Sequence, residues 1–384
     1  MQVELVELAD AEVQRVWLEL FDAQQAPANP FCAPLWASVW YRHFAPSAAD
    51  RRLAAIRGAD GSIVAVAPLW IDRARIAGRQ VLARLRLIGS GQGTALLELP
   101  QVLTAVGQGR AALGALIAEL ATKGSALSGA DWAELSIAEG QGWLEPQWMS
   151  LGDHPVSFWR HLDTQASVVI PLEDTWTATL AGLKRNVKES LRRSRNRLAK
   201  QPLPVEVHAR THDLDLAVVD RFLGLHHARA DHVSVGSIHH DAFGGPERRR
   251  FMRALLPELG AAGQATIWEL WLGGRQVAAQ LILHAPGTIY VHSSGFDPQT
   301  WELGPVTHLQ EHAFRAACEA GVRWVNMSPG PNLAKQRWSE RMIRHDQFVV
   351  GFGTKASLTR CAVVGASQVL RTLRHNADMS ARND

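Results

Sequence analysis

The feature that most constrains this 384-residue chain is the order of apolar runs between residues 266 and 327. Two strand-like runs, 266–272 and 276–284, flank the dipeptide Gly273-Gly274. Adjacent glycines supply positive φ at no steric cost, which predicts a tight hairpin and fixes its register. A third strand is predicted over 289–293. Beyond the loop GFDPQTWELGP, the residues Val306, Leu309, Ala313, Phe314 and Ala317 recur at helical spacing until Gly321, and 322–327 reads as another strand. Hairpin, strand, loop, helix, strand is the order of a layered α/β unit with a mixed sheet.

The first half follows a similar order. Helices are predicted over 11–21 and 35–44, and strands over 52–57 and 63–71 are joined by a GADGS turn. A strand at 84–88, an Ala/Leu-rich helix at 111–122 and a strand at 132–136 follow. Length at roughly 150 residues per domain points to two units. We expect an N-terminal domain over 1–165, joined through 152–158 to a C-terminal domain over 166–355, with a helical tail at 356–384. With 47% apolar and 20% charged residues the chain is globular in composition, which excludes a disordered segment.

Apolar stretches such as 63–71 fall short of the roughly 20 residues of a membrane span, so none is expected. The acidic N-terminus MQVELVELADAEVQ has no basic, then apolar, leader pattern, which makes the cytoplasm the expected location. Cys32, Cys318 and Cys361 are too few and too widely spaced for a disulfide framework or a CxxC site; packing is their expected role. A net charge of +3 says little globally, so an anion-binding footprint must be a local cluster. One lies in LKRNVKESLRRSRNRL, where Leu183, Val187, Leu191 and Leu198 form the apolar stripe of a cationic amphipathic helix. Such a face is either merely solvated or meets a phosphate-bearing substrate, tRNA or a membrane surface.

Several motifs together resemble a known family. They are LKRNVKESLRRSRNRL, LHHAR (225–229), GGRQVAAQLIL (273–283), GFDP (295–298), Gly304-Pro305, GPNLAKQRW (330–338), and, near the start, NPFCAPLWASVW (29–40) and VAVAPLW (64–70). The set is similar to the acetyltransferase-like proteins associated with bacterial cellulose biosynthesis, a branch of the GNAT superfamily related to the tandem-GNAT Fem-type aminoacyl transferases. The resemblance implies a tandem GNAT-like acyl-CoA N-acyltransferase fold. The chain departs from the family twice: Asn326 stands where an acid is usual in the last strand, and the diphosphate loop is reduced to WELGPV.

The resemblance also implies roles. Acyl-CoA, such as acetyl-CoA, would lie along Val291, Ser293, Ser294 and Phe296, with its diphosphate at the helix start formed by Gly304, Val306 and Thr307, where orphan N–H groups favour anions. His226 and Asp231 are the candidate acid–base residues, because amide formation needs a neutral amine and histidine titrates in the right range. Arg185, Lys335 and Trp338 are the candidate substrate contacts, with guanidinium geometry suited to phosphate. No metal site is expected: His308 and His312 lie four apart and His239-His240-Asp241 is a tempting run, but no third ligand is spaced to complete a set and an HExxH glutamate is missing. GSGQGT (89–94) lacks GxGxxG and P-loop spacing and reads as a turn, as does Asp297 before Pro298.

The expected activity is transfer of an acyl group from acyl-CoA to the amine of a small-molecule or saccharide-linked acceptor. Two alternatives stand beside it: an aminoacyl-tRNA donor, and a non-catalytic GNAT-like binding or scaffold protein. The acceptor and the oligomeric state leave no mark in the sequence.

Overall fold

The computed structural model describes residues 1–76, 79–90, 99, 101–122, 124–125, 127, 129–138, 156–231 and 241–352. Its centre is one mixed sheet. The N-terminal half contributes β1 (Gln2–Leu5), the antiparallel set β2 (Arg51–Arg57), β3 (Ile63–Ile76) and β4 (Arg79–Leu87), the short β5 (Leu103–Thr104) and β6 (Trp132–Ala138). The C-terminal half contributes β8 (Val205–Arg210), β9 (Ala265–Leu272), β10 (Arg275–Ala285), β11 (Thr288–Phe296) and β12 (Trp324–Pro329). Two long strands, β7 (Val156–Pro171) and β13 (Met342–Phe352), lie between the halves. The order is β1-β2-β3-β4-β6-β13-β7-β12-β11-β10-β9-β8, with β5 beside β3.

Each half carries one parallel pair, β4 with β6 and β11 with β12, while the other pairings are antiparallel. The middle is an exchange of strands. The second half's last strand, β13, pairs with β6 of the first half, and β7 pairs with both β13 and β12. The boundary expected at residue 165 falls inside β7, and 342–352, expected within the C-terminal domain, adds to the N-terminal part of the sheet. The expected tail over 356–384 lies outside the described residues, as do Cys361, most of GSGQGT and the His239-His240 pair.

Helices cover both faces because the strands are apolar on both, as in buried mixed sheets. On one face, α1 (Ala11–Asp22), α2 (Pro34–Phe44), α6 (Leu216–Asp231) and α7 (Pro246–Ala261) share a core that includes Trp17, Trp36, Trp40, Phe222, Phe251 and Tyr290. On the other face, α3 (Gly109–Ala121) packs on the first half, and α4 (Trp176–Gly182), α5 (Arg185–Ala199) and α8 (Pro305–Glu319) pack on the second. The stripe read from the sequence orients α5: Leu183, Val187, Leu191 and Leu198 are buried while Arg192, Arg193 and Arg197 are exposed. Gly273 and Gly274 take φ of 58° and 79°, as the hairpin requires. Cys32 and Cys318 are free and buried, and burial pushes the Cys32 thiol up.

Candidate functional site

β11 and β12 run side by side for only three residue pairs, the last being Tyr290 with Asn326. Beyond that point each strand continues without the other, to Phe296 and Pro329, so the sheet opens into a cleft. β11 is bulged there: Ser293 opposes Leu281 and Val291 opposes Ile282, leaving His292 as the extra residue. A bulge bends its strand and re-aims the residues after it. A strand leaving its neighbour also exposes backbone carbonyls that must find other partners. Here side chains supply them: Gln280 Nε2 donates to Ser293 O at 2.7 Å, and Arg229 Nη1 donates to Ser294 O at 3.0 Å and to Ser294 Oγ at 2.6 Å.

The β12 side is built differently. Asn326 Oδ1 accepts the N–H of Ser328 at 2.9 Å, a local turn that holds Ser328 at φ 64°, the left-handed region rare outside glycine. The pairing with β7 shifts register at the same place. The chain then turns through Gly330 into α9 (Leu333–Gln336), where Asn332 Oδ1 accepts the N–H of Lys335. Lys335 folds back: its Nζ donates to Ser328 O and Ser328 Oγ, each at 3.1 Å, and to Pro329 O at 2.7 Å. Burial, with the nearby Arg229 charge, pushes this amine down to about 8. Burial also lowers Arg229, whose guanidinium lies 5.7 Å from the Phe296 ring. Arg229 of α6 and Lys335 of α9 are thus both desolvated cations at the opening, near enough for one charge to act on the other, and no carboxylate pairs with Lys335 among the described residues. Such a pair favours an anion or a carbonyl oxygen gaining negative charge.

The residues expected at the site distribute as follows. His226 is buried on α6, with Nδ1 3.0 Å from Ser294 O and Nε2 accepting the Ala242 N–H at 3.3 Å, so backbone groups engage both ring nitrogens. Its helix lies against β11 because residue 295 is glycine: a Cβ there would stand 2.8 Å from the His226 Cα and nearer still to the Leu225 carbonyl carbon. Asp231 closes α6, and its side chain lies outside the described residues. Ser293 and Ser294 sit on the diverging part of β11, while Val291 and Phe296 turn into the cores beneath α5 and α8. Trp338 is likewise core, edge-on to Phe314 at 5.2 Å. Arg185 projects from α5, its side chain 92% exposed and paired with Glu189, and does not reach the cleft.

At the start of α8, Gly304 takes φ 68° and Pro305 opens the helix. Val306 and Thr307 occupy the first turn, whose N–H groups lack intrahelical acceptors, and no side chain caps them. The loop before them is fastened to α5: Ser194 Oγ donates to the Leu303 and Gly304 carbonyls, and Arg197 donates to the Glu302 carbonyl. The helix start thus keeps donors that fit a diphosphate, while α5 closes over its outer side.

Asn326 also lines a cavity of about 570 Å³ with Ile343 and His345 of β13, the 23–29 loop and residues from 99 to 110. Both halves of the chain contribute to its lining. Three contributors were not singled out from the sequence: Arg229, although it lies inside the LHHAR motif, Ser328, and His345. A serine forced left-handed between Asn326 and Gly330 leaves no compositional signal, and neither does a histidine brought in by strand exchange.

Residues 185–337 match a family model described as an acetyltransferase (GNAT) domain. No curated protein sequence matches the chain. Among solved structures, FemX is similar at a TM-score of 0.58 and 12% identity, over 90% of this chain and 97% of that one. A conserved protein of unknown function from Bacteroides thetaiotaomicron VPI-5482 is similar at a TM-score of 0.55 and 14% identity, over 91% and 99%. The chain has a GNAT-like α/β fold, its GNAT match covers the cleft between β11 and β12, and 90% of its length is similar in fold to FemX.

Proposed function

We propose that this protein transfers an acyl group from an acyl-CoA thioester, held in the cleft between β11 and β12, to an acceptor amine. The observation that carries the reading is the pair Arg229 of α6 and Lys335 of α9, which hydrogen-bond to β11 and to β12 where the sheet opens. The thioester carbonyl would lie between them. The amine nitrogen attacks the carbonyl carbon, the C–N bond forms, and the electron pair moves onto oxygen, where the cations and nearby N–H groups stabilise it. As the carbonyl re-forms, the C–S bond breaks and the thiolate departs with the electron pair. Lys335, lowered to about 8, exchanges protons near neutral pH: it protonates the thiolate and takes the proton the amine loses. His226 is a positioning residue in this scheme, holding Ser294 against α6. The donor's diphosphate would meet the N–H groups of Val306 and Thr307.

The acceptor enters from the cavity beside Asn326 and His345. The motif resemblance to cellulose-associated acetyltransferases makes amino sugars the first acceptors to try. An aminoacyl-tRNA donor is the second reading and draws on the cationic face of α5. The test is release of free thiol from acetyl-CoA in the presence of amino sugars and amino acids, with the acylated product weighed by mass spectrometry. The reading expects amine-dependent release that falls at least tenfold in Lys335→Met, as loss of a charge-assisted hydrogen bond would produce. Release indifferent to the amine, or retained in full by the variant, would sink it.

A further inference from the structure

The outer surface where α5 meets α9 and the start of β13 takes no part in the proposed chemistry, and it is built unlike an ordinary solvated face. Lys184, Asn186, Leu333, Ala334, Arg337 and Met342 line an open groove of about 650 Å³ there. Leu333 is 86% exposed and Met342 42% exposed, so two large aliphatic side chains stand in water beside the groove. Cations surround them. Arg337 is half-buried, and burial together with the neighbouring Arg193 lowers it. Neither guanidinium has an ion pair among the described residues. Arg192 and Arg193 continue the cationic side along α5. The local acids are Glu340, engaged by Lys184 at 2.6 Å, and Glu189, engaged by Arg185 at 2.8 Å.

Arg337, partly desolvated beside the like charge of the exposed Arg193, with Glu189 hydrogen-bonded to Arg185, is stabilised by an anion that joins the two guanidinium groups. Leu333 has the opposite deficit, being an apolar side chain with nothing to cover it. One partner meets both needs. A membrane surface rich in anionic lipid offers phosphates to the guanidinium groups, and an acyl boundary to the aliphatic tips a few ångströms deeper. A nucleic acid would satisfy the arginines alone. It gains nothing from Leu333 and Met342, and the groove lacks the aromatic rings on which bases stack.

We propose that the surface formed by α5, α9 and the start of β13 docks the protein on an anionic membrane, with Leu333 and Met342 inserted and Arg193 and Arg337 on lipid phosphates. The proposal is independent of the acyl-transfer reading, because none of these side chains belongs to the cleft. The experiment is sedimentation of the full chain with vesicles of phosphatidylcholine alone and of phosphatidylcholine mixed with phosphatidylglycerol, with tRNA retention measured in the same buffer. Binding is expected only to the mixed vesicles. It should weaken about 25-fold in Arg193→Ala/Arg337→Ala, at about fivefold per cation near an anionic surface, and fall at least as far in Leu333→Asp. Leu333 is 86% exposed, so that variant keeps its fold even if the arginine variant does not. Absence of binding to the mixed vesicles, equal binding to both vesicle types, or binding that survives Leu333→Asp overturns the proposal. So does tRNA retention without vesicle binding.

Discussion

Gly295→Ala perturbs the one place where α6 lies directly against the cleft-forming strand. A Cβ at 295 would stand 2.8 Å from the His226 Cα, with the His226 nitrogen and the Leu225 carbonyl carbon nearer still, where ordinary contact begins at 3.4 Å. All three atoms are backbone, so no rotamer change relieves the clash, and α6 or β11 must move by roughly 1 Å. Overpacking of this kind costs about 1–3 kcal/mol, and the gain of about 0.4–1 kcal/mol from a stiffer unfolded chain offsets only part of it. For a chain of this length unfolding as one unit, a net loss of about 2 kcal/mol corresponds to a fall in Tm of roughly 2–3 °C. The shift also pulls the Ser294 carbonyl away from Arg229 and His226. Acetyl-CoA binding should therefore weaken by more than the stability loss explains. Gly260→Ala, on α7 and away from the cleft, is the control: its Cβ would meet Thr211 O and Leu214, so it should lower Tm but leave donor affinity unchanged. Thermal melts and calorimetry with acetyl-CoA measure both effects. A Gly295→Ala protein with wild-type Tm and wild-type affinity would refute the claim that this contact sets the cleft.

Two other perturbations address the cleft's neighbours. Ser328→Gly removes the cost of φ 64°, whereas Ser328→Val adds a branched side chain there, so thermal melts should show the valine variant about 1–2 kcal/mol below the glycine variant; equal stability would show that the turn relaxes freely. His345 is buried and pushed down to about 4 from 6.5. Between those values the unfolded chain binds a proton that the folded chain does not, so stability falls as pH drops through this window, by on the order of 3 kcal/mol in full. Melts of wild type and His345→Gln from pH 7 to pH 4 should diverge accordingly, and parallel curves would contradict a neutral buried imidazole.

The sequence made much of the second half legible because its signals are local. The Gly273-Gly274 turn, the α5 stripe and the α8 periodicity each depend on neighbours within a few residues. The strand exchange was not legible. β13 pairs with β6 across some 200 residues, and MIRHDQFVVGF lacks the clean alternation that would announce a strand. The site was partly legible for the same reason. Lys335 was found through its motif, but its partner Arg229 reaches the cleft only because α6 packs on β11 at Gly295, a tertiary fact. Arg185 and Trp338 show the converse. One is a solvent-facing arginine and the other a packed indole, and the motif around each reads the same whichever way the side chain turns.

Whether Lys335 and the opened strands hold an acyl thioester is decided by calorimetric titration with acetyl-CoA. Binding to the wild-type protein is expected, weakened about tenfold or more in Lys335→Met and unchanged in Arg185→Ala, whose side chain lies outside the cleft. No binding by wild type, or equal binding by wild type and Lys335→Met, would contradict it.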